Sequence, residues 1–68
     1  MNKIEKAYAK TFSTSFGETV LGHLRKMTIE RVLGPNATES ELRTLEGQRS
    51  LVHTIEQLTA RGRLNAET

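Results

Sequence analysis

The sequence predicts an all-α fold, a short N-terminal helix followed by a long antiparallel αα-hairpin. Three observations carry this reading. Apolar residues recur at helical spacing over two stretches: Phe16, Val20, Leu21, Leu24, Met27 and Val32, then Leu42, Leu45, Leu51, Val52, Ile55 and Leu58. That is the i, i+3, i+4 pattern of one helix face, not the alternation of a strand. Gly34-Pro35 lies between the stretches and supplies the two residues that most readily stop a helix. Thr38-Glu39-Ser40-Glu41 then has the spacing of a capping box, in which the threonine hydroxyl accepts from the N3 amide and the glutamate reaches back to the cap N–H. The expected helices are residues 3–11, 15–33 and 39–60 of one domain spanning 1–68, with 63–68 a frayed tail.

Each element has its own local signals. Asn2 caps the first helix, with Glu5 at the box spacing. Ile4, Ala7, Tyr8 and Thr11 make its face, and Lys3, Lys6 and Lys10 fall on the other side, as a solvated surface or a phosphate-facing patch. A helix this short is marginal alone, so it must dock. Thr11-Phe12-Ser13-Thr14 is a tight connector. Thr14 is the best N-cap for the central helix, and Phe12 is placed to fold back as a hydrophobic staple. Gly17 and Gly22 sit inside that helix at about 1 kcal/mol each relative to Ala. They mark either a tolerated cost or the close approach of a second backbone. The last helix has Gly62 as a candidate C′ residue, with Arg61 beside the final carbonyls.

If the hairpin turns near Pro35-Asn36, Gly22 falls opposite Gly47. Two residues without Cβ then let the helix axes come nearer than the usual roughly 8–10 Å. In the same region Glu46-Gly47-Gln48-Arg49 interrupts the apolar face. Arg49 is either an exposed i, i+3 partner of Glu46, or a partly buried side chain held by Glu46 or by Glu18 across the hairpin.

Size and composition limit the functions available. Sixty-eight residues with 35% hydrophobic content and three aromatics give a thin aliphatic core, and small helical chains of this kind usually add oligomerisation or docking on a larger partner. The net charge of +2 is uneven: residues 1–33 carry six Lys or Arg against three Glu, and residues 34–68 carry four Arg against five Glu. No stretch approaches the roughly 18 apolar residues of a membrane span, and the N-terminus lacks the apolar run of a secretory signal. The expected location is therefore the cytoplasm of the producing cell.

Catalysis and metal binding are not expected, and no cofactor is implied. Cysteine and aspartate are absent. The serines have no Gly-x-Ser-x-Gly elbow. His23 and His53 lack an i, i+4 histidine partner, and the expected register sets His53 near Glu18 as a surface polar pair. No phosphate-binding glycine loop is present. Nucleic-acid binding is the main alternative, resting on Lys10, Arg25 and Lys26. The net charge is small for that role, and the helices are too long for a helix-turn-helix.

Two segments resemble a known family. Phe12-Ser-Thr14-Ser-Phe-Gly17-Glu-Thr-Val20-Leu21-Gly-His-Leu24 resembles F-x-T-x-x-G-x-x-V-L-x-x-L, and Glu46-Gly47-Gln-Arg49-Ser-Leu51-Val52-His-Thr-Ile55 resembles E-G-x-R-x-x-V-x-x-I. In this order the pair is similar to a small accessory domain of tailed bacteriophages, first named from a Bordetella phage reading frame. The resemblance implies a short helical phage protein, made in the host cytoplasm and associated with the virion. Its implied role is structural or in virion assembly, through protein–protein interaction or self-association, and it carries no catalytic residues to transfer. A small phage regulator that binds DNA or a host protein is the alternative. The matched positions Phe12, Thr14, Gly17, Val20, Leu21, Leu24, Glu46, Gly47, Arg49 and Ile55 read as fold residues: cap, staple, crossing and polar clamp. Ser15-Phe16 departs from the Pro-acidic pair frequent in the family and puts an aromatic at the helix start. Tyr8, Phe16, Arg25, Lys26 and Ile29 are the candidate contact surface.

Overall fold

A computed structural model describes residues 2–66, which form three helices and no strand: α1 (Lys3–Phe12), α2 (Ser15–Thr28) and α3 (Glu39–Ala66). Local chemistry sets every helix start. Asn2 Oδ1 accepts from the Ile4 amide at 2.8 Å, and Thr14 Oγ1 accepts from the Gly17 amide at 3.0 Å. The capping box at α3 is complete: the Glu41 amide donates to Thr38 Oγ1 at 3.1 Å, and the Thr38 amide donates to Glu41 Oε1 at 3.4 Å. Thr38→Ala should cost about 1 kcal/mol, read as a lowered thermal midpoint with a normal native circular-dichroism spectrum.

The helix ends differ from expectation. α2 stops at Thr28 instead of continuing to residue 33. A turn at residues 29–30 follows, then a non-helical strap over 31–38 in which Leu33 and Ala37 are half-buried. Leu33 and Leu45 line a hollow of about 240 Å³ beside the strap. α3 continues past residue 60 to Ala66, so Gly62 lies inside a helix and is not its C′ residue. None of the described residues has positive φ, so no helix here ends on a left-handed glycine. Residues 63–66 are helical, and the rest of the expected frayed tail lies outside the described residues.

The strap also resets the pairing of α2 with α3. The helices run antiparallel, with Glu18 beside Arg63, Arg25 beside Glu56 and Thr28 beside Arg49. Relative to the register that would match Gly22 with Gly47, α2 is displaced by about three turns along α3. The cause is that α2 stops at Thr28 and the non-helical residues 31–38, with a turn at 35–36, separate its end from the start of α3. Gly22 and Gly47 are both exposed, with open space where a Cβ would sit.

α1 packs most extensively on α3, and α2 completes the layer. Ala9, Leu45 and Val52 are the buried apolar residues, joined by Thr28 and Thr59. The two buried threonines are satisfied within their own helices, Thr28 Oγ1 donating to the Leu24 carbonyl and Thr59 Oγ1 to that of Ile55, both at 2.7 Å. The Cα radius of gyration is 14.3 Å over extents of 48 × 22 × 13 Å. A compact chain of this length would have a radius near ~11 Å. The excess is the length of α3, which outruns both shorter helices.

Candidate protein-docking surface

Two glycines take the close approaches. A Cβ on Gly62 would lie 2.2 Å from the Glu5 carbonyl oxygen and 2.6 Å from Ala9 Cβ, so the backbone of α1 rests directly on α3 there. A Cβ on Gly17 would lie 2.0 Å from the Thr11 carbonyl oxygen and 2.8 Å from Phe12 Cα, which sets the corner between α1 and α2. The pinch points therefore involve α1, not the middle of the hairpin. Phe12 is the last residue of α1 and stacks on Tyr8, with ring centroids 6.1 Å apart.

Two arginines of α3, about four turns apart, each receive the C-terminus of a shorter helix. Arg63 Nε donates to Ser13 Oγ at 2.7 Å and its Nη2 to the Phe12 carbonyl at 3.2 Å, with Glu18 at 3.6 Å. Arg49 Nε donates to the Thr28 carbonyl at 2.8 Å, Nη2 donates to the Arg31 carbonyl, and Nη1 meets Glu46 at 2.7 Å. A cation at the negative end of a helix dipole is favourable, and both guanidinium groups use their fork to bond free carbonyls. Of the two sequence readings of Arg49, the partly buried clamp is the one present. Its acidic partner is Glu46, and Glu18 belongs to Arg63. The Arg63 clamp escaped the sequence reading because Gly62 looked like a helix stop.

These pairs lie along one edge of α2 and α3. On that edge Arg25 Nη1 contacts both oxygens of Glu56 at 2.8 and 2.9 Å, with Glu30 at 3.5 Å. His53 Nδ1 is 3.7 Å from Glu56, so its acidic neighbour is not Glu18. The other edge is mostly apolar, with exposed His23 in the same row of α2. On α2 it carries Phe16, Val20 and Met27, spaced by helical turns and exposed. On α3 it carries Leu51 and Ile55, one turn apart. Leu24, Met27, Leu51 and Val52 line a hollow of about 330 Å³, and Ala7, Tyr8, Phe12 and Ile55 line another of about 340 Å³. Because Leu51 and Ile55 are i, i+4 neighbours, both hollows open on one side of α3. Together they form an apolar shelf whose end wall is α1.

The five candidate contact residues divide. Phe16 is 87% exposed and Lys26 is exposed. Tyr8 and Ile29 are half-buried, and Arg25 is engaged by Glu56 and Glu30. Among the family-pattern positions, Thr14, Gly17, Phe12 and Arg49 sit at the caps, corner and clamp just described. Leu21, Leu24 and Ile55 are half-buried, and Val20 and Gly47 face outward. Among the described residues no group of three or more His, Cys, Asp or Glu side chains converges as a metal site would require, and no helix is long and apolar enough to cross a membrane.

The model of the family described as Bbp19-like phage protein matches residues 8–66. The match spans all of α2 and α3 and the second half of α1. No curated protein and no solved structure matches the chain.

Proposed function

The chain belongs to the Bbp19-like phage protein family, and on that premise we propose that it is a non-catalytic interaction module of the phage particle or of its assembly pathway. The observation that carries this reading is the imbalance between core and surface. Among the described residues no side chain is fully buried, while Phe16 and Val32 are 87% and 89% exposed and Leu51 is 61% exposed. A protein that leaves its largest apolar groups in water while burying so few gains most by covering them with a partner.

Mass spectrometry of purified particles tests the proposal: a structural component is present at fixed copy number. A chain absent from particles and from assembly intermediates, yet abundant early in infected cells, would overturn it in favour of a regulator. Phe16 is the expected anchor, since it projects from the corner of α1 and α2 and contributes little to the fold. Phe16→Glu should leave the thermal midpoint within about 0.5 kcal/mol of the parent and should reduce incorporation into particles by more than about tenfold, as loss of an aromatic anchor does.

A further inference from the structure

We propose that the outer flank of α1 binds the phosphate backbone of duplex DNA through Lys3, Lys6 and Lys10, without regard to base sequence. The net charge of +2 is small, but ion pairing leaves it unevenly distributed. Every glutamate among the described residues is held within the chain. Glu5 is 4.0 Å from Arg61, Glu18 3.6 Å from Arg63, Glu30 3.5 Å from Arg25 and Glu39 3.4 Å from Arg43. Glu46 pairs with Arg49, Glu56 with Arg25, and Glu41 closes the cap on Thr38. Lys3, Lys6, Lys10 and Lys26 are all exposed and meet no carboxylate among the described residues. Arg31 also lacks an ion pair there, and it lies with Glu41 in the hollow at the start of α3.

Three of the lysines make one row. At about 100° per residue, Lys3, Lys6 and Lys10 fall within about 60° of arc and span about 10 Å along α1. The seat of α1 on α3 turns this row outward. Glu5 and Ala9 face Gly62, and Tyr8 and Phe12 face Ile55, so the lysines occupy the flank away from the packed side. Arg61 adjoins them: its side chain is 63% exposed and reaches Glu5, whose own side chain is only 14% exposed and is shared with Asn65. Glu39 and Glu41 stand at the start of α3, roughly 30 Å or more along the helix from Gly62. Arg25 is spent on Glu56 and Glu30, and Lys26 stands alone on the outer face of α2.

The chemistry of the row selects the partner. On one DNA strand a charge recurs about every 3.4 Å along the axis, so about 10 Å of lysines meets about three phosphates. A lysine is a compact point charge on a flexible stem, suited to contacts that follow the backbone without reading bases. A protein partner would call for an apolar or aromatic anchor at the centre of the contact, where lysine is depleted. No apolar side chain of α1 falls inside the arc of this row. A helix lying on a membrane keeps its apolar face for lipid, whereas α1 packs that face on α3. Single strands are held by aromatic stacking, and Tyr8 and Phe12 stack on each other on the opposite side of α1.

Fluorescence anisotropy of a labelled DNA duplex, titrated with the full chain over a salt series, tests the proposal. Three contacts give a slope of log K against log salt of about −2.7, a loss of about fortyfold between about 50 and 200 mM salt. A second duplex of equal length and unrelated sequence should bind within about twofold of the first. Lys3→Gln, Lys6→Gln and Lys10→Gln together should remove most of the slope and weaken binding at low salt by more than about tenfold. The thermal midpoint should not move, because all three side chains are exposed. Should the triple variant fail to fold, Lys6→Gln alone decides, making the slope shallower by about 1. Lys26→Gln removes the same charge away from the row and should change affinity by no more than about twofold. No binding at low salt would overturn the proposal. So would binding that ignores salt, or Lys26→Gln as damaging as Lys6→Gln. Tighter binding to a polyglutamate peptide than to the duplex would assign the row to an acidic protein instead, and tighter binding to phosphatidylserine vesicles would assign it to a membrane surface. The inference stands apart from the particle reading. A chain that binds DNA yet is missing from particles contradicts only that reading, and a particle component indifferent to DNA contradicts only this one.

Discussion

Gly62→Ala should destabilise the protein by about 1–3 kcal/mol, although alanine is the better helix former by about 1 kcal/mol. The added methyl group would meet the Glu5 carbonyl oxygen at 2.2 Å. That oxygen is backbone in the first turn of α1 and cannot rotate aside, so α1 must lift off α3. The lift also separates Ala9, one of the few buried apolar residues. Gly22→Ala and Gly47→Ala should do the reverse. Each adds a methyl group into open space and should stabilise by up to about 1 kcal/mol through helix propensity alone. Thermal melts at matched protein concentration separate the signs, since each kcal/mol shifts the midpoint of a domain this size by about 4–8 °C. A rise for Gly62→Ala with a fall for Gly22→Ala would place the crossing in the middle of the hairpin after all. Hydrogen exchange adds a second reading: in Gly62→Ala the α1 amides should lose protection before those at the centre of α3.

The different surroundings of these glycines show what the sequence makes legible. The all-α class, the three helix starts and their caps are readable because each depends on residues within one turn: Asn2 on Ile4, Thr14 on Gly17, Thr38 on Glu41. The register of α2 on α3 is not readable in that way. It depends on where α2 stops, and the carbonyls at that stop are bound by Arg49, 21 positions from Thr28. Gly62 is ambiguous for the same reason. Near the end of an apolar pattern a glycine serves equally as a C′ residue or as a seat for another helix. Only the position of α1, more than fifty residues earlier in the chain, separates the two. The surface was legible in part. Phe16 stands out as an aromatic at a helix start and is exposed, whereas the i, i+4 stacking of Phe12 on Tyr8 was hidden by placing Phe12 in the connector, when α1 in fact runs on to include it.

Arg49→Ala should cost about 2–3 kcal/mol, the range for losing hydrogen bonds to a charged donor, and should act locally first. The guanidinium is a partly buried group, with 28% of the side chain exposed. It bonds the Thr28 and Arg31 carbonyls on both sides of the turn that ends α2. Without it those carbonyls lose their charged donor, and the turn is left to the apolar packing of half-buried Ile29 against α3. The amides of Ile29 and Glu30 both donate to the Arg25 carbonyl in this turn, and they should lose hydrogen-exchange protection ahead of α1 and the C-terminal half of α3. Arg49→Lys should recover less than half of the loss, because an ammonium group keeps the charge but cannot span two carbonyls with a planar fork. Glu46→Gln separates the ion pair from the clamp. Glu46 is 68% exposed, so its removal should cost no more than about 1 kcal/mol. If Glu46→Gln and Arg49→Ala were equally damaging, the salt bridge would be the source of stability. If Arg49→Ala alone is damaging, α2 ends at Thr28 because α3 holds it there.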